Sequence, residues 1–417
     1  MADRGDSTDG RPVAGAAPPR GVLVTLCVTV TVSYGVLYYA FAVLAPSITR
    51  TTGWSHAAIT AAFSAGSLTG AASGIAVGRH LQRHGPYLVM VAAAALGSLA
   101  AGGVGLAPVY PVFVACWVVA GLSTSGLFYP PAFAALTQWY GARRVRAITT
   151  LTLVAGFAST IFAPLTNALD DALGWRRTYL VLAALLLVVA LPAHAVVLRR
   201  PWTAAAEHTR RRTTGDREIL ASRAFLLLAA AGTLTSLAMY ASLVNLVPLL
   251  TDRGLSTGLA AWALGIGGAG QVAGRLCYPA LTRRTSATGR AVAVIGLLAA
   301  TLAALAVVPG PAALLVAVAV LTGAARGLFT LVGATLVADH WGTERYAAIS
   351  GVYNAPVSAA AALAPGLGAA LAAVTGGYGP LFAVLSVVAV AAAGLAALSA
   401  RSPSGASALR RDAELVE

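Results

Sequence analysis

The stretch AALLVAVAVLTGAARGLFTLVGATLVA, residues 312–338, is apolar along almost its whole length and carries one formal charge, that of Arg326. About 20 apolar residues in a helix span the ~30 Å hydrocarbon core of a bilayer, so this stretch is long enough to cross it. A continuous apolar run favours a helix over a barrel strand, in which apolar and polar residues alternate. We therefore predict a transmembrane helix with one cation near its middle.

Further apolar stretches of similar length lie on both sides of this one. The chain has 417 residues, of which 58% are hydrophobic and 10% charged, and its mean hydropathy is +0.79. A soluble core cannot bury that much apolar surface. The predicted spans are 22–47, 56–78, 87–107, 109–138, 147–169, 178–198, 224–250, 258–281, 291–308, 312–338, 347–373 and 379–400. The sequence thus predicts an all-α membrane protein with twelve transmembrane helices.

The arginines predict the orientation of these helices. All 28 Lys and Arg residues are arginines, and 22 of them fall in segments that share one side of the membrane with both termini. Cytoplasmic segments are the ones enriched in basic residues, so we predict a multi-pass protein of the plasma (inner) membrane with both termini cytoplasmic. The net charge of +14 then reflects topology and contact with acidic lipid. Because the arginines are scattered at helix ends, we expect no binding of nucleic acid.

The polar segments predict the domain organisation. Residues 199–223 hold seven arginines and three acidic residues, which is typical of a solvated linker. We predict a disordered cytoplasmic tail at 1–20, a six-helix bundle at 21–198, the linker at 199–223, a second six-helix bundle at 224–400 and a cytoplasmic tail at 401–417. The first apolar run is too long for a cleavable signal peptide.

The two predicted bundles resemble each other at an offset of 200 to 202 residues. The matched pairs include Tyr38 with Tyr240, Pro46 with Pro248, Gly70 with Gly270, Gly74 with Gly274, Arg83 with Arg283, Gly126 with Gly327, Arg144 with Arg345 and Pro164 with Pro365. A run of pairs in register across several helices is hard to obtain by chance. Two parallel repeats about an axis along the membrane normal are the architecture in which a site at mid-membrane depth alternates its access.

The chain resembles the major facilitator superfamily over roughly residues 20 to 400. The loop between the second and third helices reads GRHLQRHG from Gly78 to Gly85, and Gly78, Arg83 and Gly85 match the superfamily pattern. Gln82 stands where that pattern has an acid. The resemblance implies that this loop closes the cytoplasmic gate through charge pairs, here built without the carboxylate. We assign gating to Gly78, Gln82, Arg83, Gly85, Arg144, Arg283 and Arg345.

Within the superfamily the chain is most similar to bacterial monocarboxylate and oxalate/formate-type carriers. The resemblance rests on Gly53, Trp54 and Ser55, on Tyr129 with Pro130, and on the pair Gly274 and Arg275. It implies that Arg275 grips the carboxylate of the substrate. The eukaryotic monocarboxylate carriers have an acid one turn earlier, where this chain has Gln271, and the acidic signature of their first helix is absent.

Two buried cations predict an anion site independently of that resemblance. Arg275 and Arg326 are the only formal charges inside the predicted spans, which hold no Asp or Glu. A cation at membrane depth costs ~2.5 to 3.5 kcal/mol and therefore usually faces a water-filled cavity or an anion. Guanidinium binds carboxylates through two parallel hydrogen bonds, which favours a mono- or dicarboxylate. Each arginine has an alternative to binding an anion. Arg275 could extend its charged end to the lipid head groups, and Arg326 could be purely structural and hydrogen-bond backbone carbonyls.

Other polar side chains within the spans are candidates for the same cavity. They are Tyr34, Tyr38, Tyr129, Tyr240, Asn245, Gln271, Tyr353 and Asn354. Tyr129 precedes two prolines that interrupt helical hydrogen bonding. The spans contain no acid that would serve as a proton site, so anion exchange, facilitated transport and a proton carried with the substrate all remain open.

Other functions were weighed against a carrier of small organic anions. An exporter of anionic or neutral drugs or secondary metabolites fits the same fold. A membrane sensor would need an appended soluble domain, and an enzyme would need a catalytic or metal-ligand set of residues, neither of which the sequence shows. We therefore predict a monomeric carrier without enzymatic activity, metal or cofactor, whose partners are the lipid bilayer, a small organic anion and either protons or a counter-anion.

Overall fold

The computed structural model describes residues 20–202 and 216–400, and within those ranges the regular secondary structure is helical, without a β-strand. The prediction of an all-α fold is confirmed. The predicted tails and most of the predicted linker lie outside the described residues. We call residues 20–202 the N-half and residues 216–400 the C-half.

The N-half begins with helix α1, Arg20–Tyr34, which continues through a π-helical turn, Gly35–Tyr39, into α2, Ala40–Thr52. Its other helices are α3 His56–His84, α4 Pro86–Leu106, α5 Tyr110–Leu127, α6 Tyr129–Tyr140, a 3-10 turn Gly141–Arg143, α7 Arg144–Ala155 and α8 Ala158–Val197. The C-half contains α9 Arg223–Asp252, α10 Thr257–Arg284, α11 Ala287–Val307, α12 Ala312–Trp341, α13 Tyr346–Thr375 and α14 Tyr378–Ser399. Within the described ranges, eight helical runs are long and apolar enough to cross a membrane; the count of twelve stays a prediction.

Single residues determine where several of the helices begin or end. Ser55, Ser222 and Ser256 each precede a helix and accept a hydrogen bond from a backbone N–H of its first turn, which satisfies a donor that has no partner within the helix. Gly85 separates α3 from α4 at a φ of +78°, a conformation that residues with a side chain rarely adopt. Gly174, at a φ of +73°, interrupts the helical path of α8 in the same way.

Three predicted spans are interrupted where the cavity described below lies, one of them, predicted at 147–169, between α7 and α8. The span predicted at 109–138 is divided at Phe128, which has extended backbone between α5 and α6. Pro130 and Pro131 follow the break and cannot donate the N–H groups that a continuous helix requires. The first span contains the π-helical turn, a feature that is frequent at functional sites.

Small residues allow equivalent helices of the two halves to pack closely. In the N-half, α3 meets α5 where a Cβ on Gly121 would overlap the backbone of Gly66. In the C-half, α10 meets α12 where a Cβ on Gly323 would overlap the backbone of Gly267, and one on Gly327 that of Gln271. Such close backbone approach is what small residues permit between membrane helices.

The halves pack together at one end of the bundle. We call this the inner end, where α3 ends and α13 begins; the arginine distribution predicts that it is cytoplasmic, and the opposite end is the outer end. N-half residues near the inner end, such as Leu26, Leu81 and Ile148, share one apolar cluster with the core of the C-half. Those toward the outer end, such as Phe41 and Trp117, form a separate cluster. The two halves are therefore joined at the inner end and separated toward the outer end.

Candidate functional site

A cavity of about 1490 Å³ lies between the two halves. Thr60 and Gly366 line it toward the outer end, and Gly78 and Ala347 line it at the inner end. At its inner limit a Cβ on Gly78 would lie 2.5 Å from the carbonyl oxygen of Ala347, so α3 and α13 leave no space for passage there. We call this conformation, in which the inner end is closed and the halves are separated toward the outer end, outward-facing.

Both predicted cations line this cavity. Arg275 is 5% exposed and Arg326 is 4% exposed. No Asp or Glu is among the described residues that line the cavity. Each arginine also has a buried Nε without a hydrogen-bond partner in the described part of the chain. Because a buried cation is costly unless it is compensated, these two positions are unusual for membrane helices.

The guanidinium of Arg275 reaches the other half. Its Nη1 donates to the carbonyl oxygen of Thr152 at 2.8 Å, beside the break between α7 and α8. Gly156 leaves room for this contact, since a Cβ there would lie 2.8 Å from the same nitrogen. Arg275 therefore lies in the cavity between the halves rather than among lipid head groups.

Six of the other predicted polar residues line the cavity. They are Tyr34, Tyr38, Tyr129, Tyr240, Gln271 and Asn354. Tyr129 and Tyr240 line the same cavity as Arg275 and Arg326. The amide of Asn354 donates to the carbonyl and hydroxyl oxygens of Ser350. The two cations are thus accompanied by neutral hydrogen-bonding groups.

The prediction for Asn245 and Tyr353 needs correction, because neither residue lines the cavity. Asn245 is 5% exposed, donates to the carbonyl of Ala241 and lies against Gly368. Tyr353 is 2% exposed and its hydroxyl lies against Gly232. Both side chains occupy the interface between α9 and α13.

The sequence analysis missed most of the aromatic wall. Tyr34 stacks on Phe128 with ring centroids 3.9 Å apart, and Phe41 stacks on Phe63 at 4.4 Å. All four rings line the cavity, as does Tyr39. The π-helical turn changes the helical register of the first span. A regular helical wheel therefore does not place the aromatic residues of that span on one face. The feature of the sequence that could have indicated this wall is the concentration of aromatic residues in the N-half.

Gln82 closes the inner end with its side-chain amide. Its Nε2 donates to the carbonyl of Glu344, and its Oε1 accepts from the backbone N–H of Ala347 at 3.1 Å. The N–H of Ala347 belongs to the first turn of α13, where donors have no partner within the helix. The amide of Gln82 thus bonds across the halves at the position where the superfamily pattern has an acid.

A partly buried ion-pair network also joins the halves at this end. Asp339 accepts from Arg144 of the N-half at 2.8 Å and from Arg290 of the C-half at 2.5 Å. Arg290 is 4% exposed, so Asp339 compensates an otherwise buried cation. The sequence analysis assigned Arg144 to gating but missed Asp339 and Arg290, which lie at the ends of apolar runs.

The remaining predicted gating residues are placed as follows. Arg345 pairs with Asp216 at 3.7 Å within the C-half, and Gly85 forms the turn after α3 against Trp202. Arg83 and Arg283 are exposed at the ends of α3 and α10. In the part of the chain that the structure describes, neither forms an ion pair across the halves, and their role in gating stays a prediction.

Comparisons with known proteins agree with this architecture. The sequence profile of the Major Facilitator Superfamily matches residues 26–313. A search of the curated proteins finds no match. Among solved structures, the chain is similar to a Major Facilitator Superfamily transporter, FucP, in the outward conformation, with a TM-score of 0.70 and 14% identity over 90% of this chain and 98% of that chain. A variant of the E. coli fucose:proton symporter FucP has a TM-score of 0.71 and 13% identity over the same shares. At such identities the likeness concerns the fold.

Proposed function

The chain belongs to the major facilitator superfamily, and on that premise we propose that it carries organic anions, mono- or dicarboxylates, through the cavity between its halves. Members of this superfamily move small molecules across a lipid bilayer by alternating access. In the proposed cycle the anion enters the cavity from the outer end, and rocking of the halves closes that end and opens the inner one.

One observation carries the choice of an anion. Two buried guanidinium groups, those of Arg275 and Arg326, line the cavity, and no carboxylate lines it among the described residues. A cationic substrate would be repelled there, and a neutral one would leave both charges uncompensated. A carboxylate compensates them and satisfies donors that are otherwise without partners.

The finer parts of the proposal rest on the sequence. The resemblance to bacterial monocarboxylate and oxalate/formate-type carriers supports a carboxylate, and the arginine bias supports the plasma membrane with cytoplasmic termini. We propose that the protein works as a monomer. It would use the polar lining residues named above to orient the anion and the inner-end contacts of Gln82 and Arg144 as its gate.

The coupling mode follows from what the cavity lacks. Among the described residues that line it, none is Asp, Glu or His, so the cavity wall offers no side chain that exchanges a proton near neutral pH. FucP is a proton symporter. In this chain, exchange for a counter-anion, or a proton carried on the substrate's own carboxylate, is better supported than a proton relay through the cavity wall.

A second candidate is export of anionic or neutral drugs or secondary metabolites. The observation in its favour is size, because a volume of about 1490 Å³ exceeds the ~300 to 1000 Å³ of ordinary small-molecule pockets.

A thermal-shift screen tests the proposal. The purified full-length chain is heated with acetate, oxalate, larger carboxylates, neutral drugs and cationic drugs, since a ligand that binds the folded state raises its melting temperature. The same screen is run on Arg275→Gln and Arg326→Gln. We expect stabilisation by a carboxylate that both substitutions remove. Stabilisation by neutral compounds alone, unchanged in both variants, would instead support the exporter.

A further inference from the structure

The two walls of the cavity differ in chemistry. Both cations that line it, Arg275 and Arg326, come from the C-half. The aromatic side chains that line it come almost entirely from the N-half, and Tyr240 is the exception among the described lining residues. A substrate in the cavity therefore faces charge on one side and aromatic rings on the other.

The aromatic side chains form a continuous surface. Near mid-depth, Tyr34 stacks on Phe128 with ring centroids 3.9 Å apart and lies 4.9 Å from Tyr129. Tyr34 also meets Tyr38 edge to face at 6.4 Å, and Tyr38 in turn meets Phe63 at 5.7 Å. The surface thus extends from mid-depth toward the outer end of the cavity.

The mid-depth part of this surface adjoins the cations. Tyr129 lines the cavity together with Arg275, whose guanidinium reaches Thr152 of the N-half, and it belongs to the aromatic group with Tyr34 and Phe128. Tyr34 and Phe128 are only half-buried, so their rings are accessible from the cavity. An anion bound to Arg275 and Arg326 therefore places the rest of its molecule against these rings.

We propose that the preferred substrates are carboxylates with an aryl or similarly bulky apolar body, rather than acids of two to four carbons. The inference rests on the proposed function and names the substrate class of the same site. The carboxylate binds the arginines of the C-half, and the apolar body covers the aromatic wall of the N-half. A short acid leaves that wall in contact with water, whereas an aryl group removes apolar surface from water on both partners.

A matched series of ligands tests this assignment. Propionate, 3-phenylpropionate and the neutral 3-phenyl-1-propanol differ by one ring or by the charge. Their dissociation constants are measured with the full-length protein in nanodiscs from the concentration dependence of thermal stabilisation. We expect 3-phenylpropionate to bind at least about tenfold more tightly than propionate and than the alcohol.

Four variants, one of them a control, separate the two walls. Phe128→Leu should weaken 3-phenylpropionate by about threefold or more with no change for propionate, and Phe63→Leu, in another ring that lines the cavity, provides the same comparison if the first variant does not fold. Trp262→Leu is the matched control, because Trp262 is an exposed aromatic residue that does not line the cavity. Arg326→Gln should abolish binding of both carboxylates.

The outcomes distinguish this inference from the function on which it rests. If propionate binds as tightly as 3-phenylpropionate and both depend on Arg326, the aryl preference is wrong and the anion carrier stands. If 3-phenyl-1-propanol binds as well as 3-phenylpropionate and Arg326→Gln affects neither, both proposals are wrong. Failure of both carboxylates to bind in a saturable way overturns both as well.

Discussion

Arg275 and Thr152 join the two halves at mid-depth: Nη1 of Arg275 donates to the carbonyl oxygen of Thr152 at 2.8 Å. The same carbonyl accepts from the N–H of Gly156 within the N-half. A residue proposed to bind the substrate thus also links the halves in the outward-facing conformation. An anion that draws the guanidinium toward itself weakens this link, which couples binding to the movement of the halves.

Arg275→Lys tests whether the planar guanidinium is needed. Lysine keeps the charge but cannot bind a carboxylate and the Thr152 carbonyl through a fork of donors. We expect the KM for carboxylate uptake into proteoliposomes to rise about tenfold or more, since a hydrogen bond to a charged group contributes ~1.5 to 3 kcal/mol. Arg284→Lys, at the exposed end of the same helix, is the control. An unchanged KM in Arg275→Lys would restrict Arg275 to linking the halves.

Gly78→Ala tests the close contact at the inner end. The added Cβ would lie 2.5 Å from the Ala347 carbonyl oxygen, whereas a Cβ on Gly74, one turn away, meets no atom within 4 Å. We expect Gly78→Ala to favour the inward-facing conformation and Gly74→Ala to leave the equilibrium unchanged. The distance between spin labels at His80 and Glu344, both exposed, reports the opening. An equal response of the two variants would show that the contact does not control the gate.

Arg144→Gln tests the ion pair that crosses between the halves. It removes the contact with Asp339 but leaves Asp339 paired with Arg290, so the C-half keeps its buried cation compensated. Because Arg144 is 23% exposed, we expect a loss of ~1 to 2 kcal/mol from the closed inner end. The melting temperature should change little. Spin-label distances across the inner end provide the measurement, and Arg143→Gln, in the exposed neighbour, should behave as wild type.

Gln82→Glu tests the amide that takes the place of an acid. A protonated Glu keeps both contacts, because it donates to the carbonyl of Glu344 and accepts from the N–H of Ala347, whereas an ionised Glu sets a carboxylate oxygen against the Glu344 carbonyl. The closed inner end therefore raises the pKa of Glu at this position, and its stabilisation is present below the pKa of the open form and is lost as pH rises through the raised value. We therefore expect the variant to close less well above about pH 4.5. Measurements of the same spin-label distances from pH 4 to 7 would show no such change for the wild-type amide.

Hydropathy and charge predicted the helical architecture because their signals accumulate over a whole segment. Twenty apolar residues or a surplus of arginines on one side remain visible even when single helix ends are uncertain. The break at Phe128 and the π-helical turn at Gly35–Tyr39 are local interruptions of a helix. In the sequence, only the two prolines after Phe128 indicated the first of them, and nothing indicated the π-helical turn.

Whether a residue lines the cavity could be predicted from the sequence where its side chain is costly to place in the membrane. It could not be predicted for apolar and neutral side chains. Arg275 and Arg326 were expected in the cavity because an uncompensated charge is costly among apolar residues. Asn245 and Tyr353 were misplaced because a helix that is apolar all round does not reveal which face meets lipid, a neighbouring helix or a cavity. The same ambiguity hid Phe63 and Phe128 among other apolar residues.

The close packing of α10 against α12 has a consequence for the direction of transport. These two helices carry Arg275 and Arg326, and their backbones meet where Gly267 faces Gly323 and where Gln271 faces Gly327. Two helices joined this closely move as a single body, so the spacing between the cations stays constant while access switches sides. A difference in affinity between the two conformations, and with it any preference for uptake or release, then has to come from the N-half, which supplies the Thr152 carbonyl and the aromatic wall.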